Sequence, residues 1–239
     1  MLLKTKDLFT VGTIILGFLV LPFAYTGNIF WASMMIIIGA LFDLLDGIYA
    51  RATKTGNRFG AEFDCIADLI IYSMAPGILL FFVYKEYNIY LASILGILPL
   101  LFGCIRLARF NVKRIEYPGF WMGLPRPGSA IAIVSLVNSQ LFARYDLMIV
   151  GFVFVLAMSI MNVTIIPYMG HHKRKFSILQ KAILIIAPIT AIVALFYGYF
   201  WDLLLVYALL YLLSPIYAIR RKERKKINKF IAEWKSEPA

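Results

Sequence analysis

The stretch DLLDGIYARATKTGNRFGAEFDCIAD, residues 43–68, decides how the rest of this chain is read. It holds two pairs of aspartates. Asp43 and Asp46 are three apart, and Asp64 and Asp68 are four apart. Either spacing puts two carboxylates on one face of a helix. Between the pairs lies a basic, glycine-containing stretch from Arg51 to Gly60. With Glu62, the window carries five of the chain's 13 acidic residues. The sequence around it is apolar, and carboxylates in apolar helices are costly and rarely accidental. Four that converge repel one another unless cations neutralise them, so the pattern points to a metal site.

Outward from that window, composition sets the class. The 239 residues are 62% hydrophobic and 15% charged, with a mean hydropathy of +0.81. A soluble domain carries about 25% charged residues. The chain is therefore read as an all-α integral membrane protein, a single domain over residues 1–239. No cleavable leader is expected, because the short polar opening lacks a small-residue cleavage site. The two cysteines, Cys65 and Cys104, give no disulfide framework and read as small buried residues. The net charge of +11 fits topology and anionic lipid headgroups, and no nucleic-acid partner is expected.

Eight apolar segments qualify as spans, at about 8–26, 29–50, 61–84, 89–107, 127–142, 147–167, 178–196 and 200–219. Pro188 predicts a kink in the seventh. With both termini in the cytoplasm, all of the 24 lysines and arginines except Lys85 and Arg144 fall on inner segments. That asymmetry fixes the orientation of a polytopic bundle of about eight transmembrane helices. The protein is expected to cross the cell membrane many times, with its active site facing the cytoplasm. The basic tail, residues 220–239, carries Ile227, Phe230, Ile231 and Trp234 at helical spacing. Two readings stand for it: a helix on the inner leaflet or a solvated stop-transfer tail. Phe120 and Trp121 read as interfacial anchors, and His171 and His172 as solvated loop residues without a metal role.

Both aspartate pairs lie about 10–12 Å in from the loop joining the second and third spans. Antiparallel helices bring them to one level. Oxygen ligation suits Mg²⁺, Mn²⁺ or Ca²⁺, and zinc is not expected because no Cys or His sits at ligand spacing. Four carboxylates suffice for two metals about 3.5–4 Å apart, an arrangement suited to phosphoryl displacement. Gly47 and Ala50 are small enough to admit a base or pyrophosphate, and Arg51 offers forked donors to phosphate.

The window fits D-x2-D-G-x2-A-R-x8-G-x3-D-x3-D at Asp43, Asp46, Gly47, Ala50, Arg51, Gly60, Asp64 and Asp68. It resembles the signature of the CDP-alcohol phosphatidyltransferase family. The resemblance implies a membrane enzyme in which an alcohol attacks the lipid-side phosphorus of a CDP-linked lipid and CMP leaves. It implies that Asp43, Asp46 and Asp64 bind metal, and that Asp68 completes the second metal site and is the catalytic base. It implies that Gly47, Ala50, Arg51 and Gly60 contact the CDP-lipid. Thr10 is carried over to that group, whereas Asp7 stands where the family often has Asn and reads as a helix cap. A homodimer is also implied.

The run R-L-A-R-F-N from Arg106, followed by G-L-P-R-P to Pro127, resembles the phosphatidylserine synthase branch. It implies L-serine as acceptor and CDP-diacylglycerol or CDP-archaeol as donor. Arg106, Arg109, Asn111 and Arg126 are the acceptor-binding candidates. Charge alone does not select serine, since glycerol 3-phosphate or inositol phosphate would also call for cations. A cation transporter is the reading from another class. Against it, no matching charges line the outer half of any span.

Overall fold

A computed structural model of the chain describes residues 7–53, 57–113, 115, 117–145, 148–170, 190, 194, 196–217, 219 and 221–236. Among these, four helical stretches are long and apolar enough to cross a membrane: Asp7–Tyr25, Ile29–Thr53, Arg58–Tyr84 and Ile89–Val112. They coincide with the first four expected spans. The seventh expected span, with Pro188, lies almost wholly outside the described residues, as do His171 and His172.

The chain forms two compact units, residues 1–104 with 148–159 and residues 105–147 with 160–239. In the first, α1 (Asp7–Tyr25) packs along α2 (Ile29–Thr53). The buried face of α1 is Asp7, Thr10, Thr13, Gly17, Val20 and Ala24, at three- and four-residue steps. Its outer face is apolar, with Leu8 71% and Phe18 61% exposed. Polar and small residues inside with large apolar residues outside is the reverse of a water-soluble helix. Lipid as the surrounding solvent explains it.

The third stretch is not one regular helix. α3 (Arg58–Leu69) runs into a π-turn at Ile70–Met74 and then α4 (Ala75–Tyr84). Asn57 starts α3, its side-chain oxygen accepting from the Gly60 amide at 2.8 Å. The π-turn has a visible cause in Pro76. Proline has no N–H, so the Tyr72 carbonyl lacks its donor four residues on. The ladder instead closes with the wider bond from the Ala75 amide to the Ile70 carbonyl.

Glycines from three helices make room for this turn. A Cβ on Gly17 would lie 2.8 Å from the Ile70 side chain. One on Gly39 of α2 would strike Ile71, and one on Gly103 of α5 (Ile89–Val112) would strike Ser73. In lipid, where apolar side chains gain little by leaving the solvent, such close backbone approach supplies much of the helix association.

The second unit departs further from expectation. It contains a two-stranded antiparallel sheet, β1 (Phe120–Met122) against β2 (Pro167–Met169), with Trp121 opposite Tyr168. No strand was expected in an all-α chain. The fifth expected span, 127–142, is broken. α6 (Arg126–Asn138) ends at Ser139, whose hydroxyl donates to Asp202 at 2.7 Å, and α7 (Gln140–Tyr145) follows. The sixth, 147–167, stops as helix at Val163, where α8 (Met148–Val163) gives way to the turn into β2. The eighth divides into α9 (Phe200–Leu212) and α10 (Ser214–Tyr217), the second carrying Pro215 in its first turn.

The basic tail forms α11 (Arg221–Ser236). Its apolar seam is used within the unit. Ile227 is 0% exposed and clusters with Phe120, Met122 and Ile219. Phe230 packs on Tyr117, and the Lys113 ammonium lies 4.6 Å from the Trp234 ring centre. Phe120 is thus buried under the tail rather than serving as an interfacial anchor, whereas Trp121 is exposed. Neither cysteine is fully buried, and Cys104 is exposed on α5.

Gly39→Val places a branched side chain against Ile71. Overpacking of this kind is expected to cost about 1–3 kcal/mol, read as a lower melting midpoint of the detergent-solubilised protein. An unchanged midpoint would show that Ile71 has room to move.

Candidate active site

Asp43 comes from the C-terminal half of α2, and Asp64 and Asp68 from successive turns of α3. One carboxylate oxygen from each lies within 4.8 Å of those of the other two. All three residues are half-buried. The i, i+4 spacing on α3 and the short connection to α2 bring them to one place. Three oxygen donors of like charge, gathered this closely in a mostly apolar unit, suit a hard divalent cation.

Asp46 stands apart in its bonding. It is 3% exposed and accepts a hydrogen bond from the Thr10 hydroxyl of α1. Thr10 is itself buried. Thr10, carried over as a CDP-lipid contact, therefore ties the first helix to the acidic motif. Asp7, read as a cap, lies buried on the same face of α1, in that helix's first turn.

Tyr72 is a residue that the sequence reading did not single out. Its hydroxyl donates to Asp43 Oδ2 at 2.7 Å, and the residue is 3% exposed. Two signals pointed to it: it follows Asp68 by four residues, and Pro76 four further on disturbs the helix where it sits.

The remaining motif residues have distinct surroundings. A Cβ on Gly47 would lie 3.3 Å from Arg51 Nη1, so the guanidinium folds back over the glycine, while Arg51 itself is exposed. Ala50 is half-buried. Gly60 is buried in the first turn of α3, its amide taken by Asn57.

In the second unit, Arg106 Nη1 donates to the Asn162 carbonyl at 2.6 Å, with a longer contact to the Met122 carbonyl at 3.5 Å. Arg109 Nη1 donates to the Val163 carbonyl at 2.5 Å, with Thr164 at 3.5 Å. Both guanidiniums thus hold the last carbonyls of α8, where a helix leaves acceptors unsatisfied and favours positive charge. Gly123 completes this arrangement. Its φ is +82°, and a Cβ there would meet the Asn162 and Thr164 carbonyls at 2.7 and 2.6 Å and Arg106 Nη1 at 2.8 Å. Asn162 also donates from its side chain to Ser129 at 3.0 Å. Asn111 is exposed near the end of α5, and Arg126 is half-buried at the start of α6. The Arg126 charge is close enough to Arg106 for the two to repel.

The family model for CDP-alcohol phosphatidyltransferase matches residues 4–214. The chain is 31% identical over 177 residues to a CDP-diacylglycerol–serine O-phosphatidyltransferase of Helicobacter pylori, covering 72% of this chain and 74% of that one. It is 38% identical over 120 residues to the enzyme of that name from Methanocaldococcus jannaschii, covering 49% and 57%. It is 30% identical over 156 residues to an archaetidylserine synthase of Methanothermobacter thermautotrophicus, covering 64% of each. The chain belongs to the CDP-alcohol phosphatidyltransferase family.

Thr10→Val removes the hydroxyl while keeping the shape of the side chain. Asp46 then loses a donor in a buried place, and hydrogen bonds to charged groups contribute about 1.5–3 kcal/mol. The metal-free protein is expected to melt lower by a corresponding amount in a thermal scan. A variant as stable as the parent would show that Thr10 does not carry Asp46.

Proposed function

We propose that this protein transfers a phosphatidyl group from CDP-diacylglycerol, or its ether counterpart CDP-archaeol, to L-serine, giving phosphatidylserine or archaetidylserine and CMP. The convergence of Asp43, Asp64 and Asp68 within a family match over residues 4–214 carries the reading. The relatives' names supply the acceptor, since they are serine enzymes with both lipid types. The match crosses both compact units, which supports one catalytic domain over the chain.

In this reading Asp43, Asp46, Asp64 and Asp68 hold two divalent cations, Mg²⁺ or Mn²⁺. The metals, when bound, offset the charge that develops on the diphosphate oxygens. Asp68 takes the proton of the serine hydroxyl as that oxygen bonds to the lipid-side phosphorus. The bond from that phosphorus to the oxygen bridging it to CMP breaks, and CMP leaves with the electron pair. Gly47 and Ala50 admit the nucleotide, Gly60 and Thr10 shape its pocket, and Arg51 steadies the diphosphate. Arg106, Arg109, Asn111 and Arg126 bind the acceptor. Arg106 and Arg109 each use Nη1 on a backbone carbonyl, which leaves their Nε–Nη2 edges for a carboxylate. The topology that fits is about eight spans with cytoplasmic termini and the site open to the cytoplasm, in a homodimer in the cell membrane.

Purified protein given CDP-diacylglycerol is expected to release CMP only when L-serine and a divalent ion are both present, and chelation should abolish the reaction. A radiolabelled panel of serine, glycerol 3-phosphate and inositol phosphate tests the acceptor; labelling from either phosphate instead of serine would overturn it. Asp68→Asn is expected to lower turnover by roughly 100-fold or more, the scale of a general base, with CDP-lipid affinity little changed. Near-normal turnover would remove Asp68 from that role.

A further inference from the structure

Tyr72 lies four residues past Asp68, on the α3 stretch that carries the acids, and it points into the acidic cluster. Its hydroxyl reaches across to α2 and donates to Asp43 at 2.7 Å. The residue is almost wholly buried, so water does not compete for that bond. A neutral phenol can only donate to a carboxylate. The contact therefore constrains which way the Asp43 carboxylate faces and occupies one side of Oδ2.

The backbone beneath Tyr72 is specialised. It lies in the π-turn Ile70–Met74, caused by Pro76 and packed by Gly17, Gly39 and Gly103. A regular α-helix drifts about 40° over each four residues, since four residues exceed the 3.6 of one turn. A π-turn takes more residues per turn and so counters that drift. Tyr72 is thereby kept on the side of the helix that faces Asp43.

We propose that Tyr72 is a positioning residue for divalent-cation binding: its hydroxyl, aimed by the π-turn, holds the Asp43 carboxylate in the orientation that the cation requires. Groups that orient metal ligands through hydrogen bonds typically change metal affinity 10–100-fold when removed. This inference rests on the reading of Asp43, Asp64 and Asp68 as cation ligands.

The test is Mn²⁺ binding to the full-length, detergent-solubilised protein, followed by electron paramagnetic resonance, for the parent and Tyr72→Phe. The variant keeps the ring and loses only the donor. Its Mn²⁺ dissociation constant is expected to rise roughly 10–100-fold, while the metal-free melting midpoint falls by no more than the loss of one buried hydrogen bond to a charged group implies, about 1.5–3 kcal/mol. CMP release should show the same split: a higher Mn²⁺ requirement, and turnover within about threefold of the parent at saturating Mn²⁺. Tyr72→Leu, which also removes the ring, is expected to lower the metal-free midpoint further than Tyr72→Phe, separating packing from the hydroxyl. Equal Mn²⁺ affinity in the parent and Tyr72→Phe would overturn the inference while leaving the cluster's reading intact. A parent that binds no Mn²⁺ would overturn both.

Discussion

Negative charge held in an apolar surrounding is the constraint on which this molecule turns. Three carboxylates whose oxygens lie within 4.8 Å of one another repel strongly. At an effective dielectric of about 20, each pair at that separation costs on the order of 3–4 kcal/mol. Three such pairs together approach the whole stability of an ordinary domain, roughly 5–15 kcal/mol. Tyr72 gives Asp43 one donor, and Thr10 gives one to Asp46. Clustered carboxylates in an apolar surrounding suit a hard divalent cation. A diphosphate-bearing substrate would only add negative charge, so divalent ions are the fitting counterpart.

Holding the acids in register falls to backbone contacts as much as to side chains. In water the hydrophobic effect would clamp the helices together, but between lipid-facing helices it is weak. The chain uses small residues at crossing points instead. Gly17, Gly39 and Gly103 accept Ile70, Ile71 and Ser73 of the π-turn. Gly77 and Gly96 bring α4 and α5 into backbone contact. Because the π-turn directly follows the two acids of α3, this packing also sets how α3 presents Asp64 and Asp68 to Asp43. The acid-bearing face and the helix-packing core of this unit are one structure read from two sides.

Much of this was legible in the residues. The spacing of Asp43, Asp64 and Asp68 placed them together because helical periodicity is local and the connecting loop is short. The first four spans followed from long, mostly apolar runs. What escaped was long-range or depended on one donor meeting one acceptor. Tyr72 reads as an ordinary aromatic in a span until α2 is laid beside it. The strands β1 and β2 are three residues each and some 45 apart, too short for alternation to register. The tail's apolar stripe was plain, but a stripe does not name its partner. Ile227 found Phe120 and Met122 rather than lipid. Ser139 broke an expected span by bonding Asp202, a polar exchange across 63 positions.

The arginines of the second unit show why a run of basic residues resists a single explanation. Positive-inside topology requires only charge, and lysine would serve it as well. Arg106 and Arg109 do something that lysine does less well: each anchors one nitrogen of a planar fork on the carbonyls ending α8 while the fork's other edge keeps its donors. Gly123 has to be glycine for this to occur, since any side chain there would collide with the carbonyls and with Arg106 itself. Thus the two separated parts of the run, the arginines near 106 and the Gly-Leu-Pro at 123–125, form one piece of structure. Its rigidity matters chemically. An arginine whose position is fixed by the backbone loses little further freedom when an anion arrives. Under the proposed acceptor role, the α8 terminus, and not charge alone, then sets where the two guanidiniums present their donors.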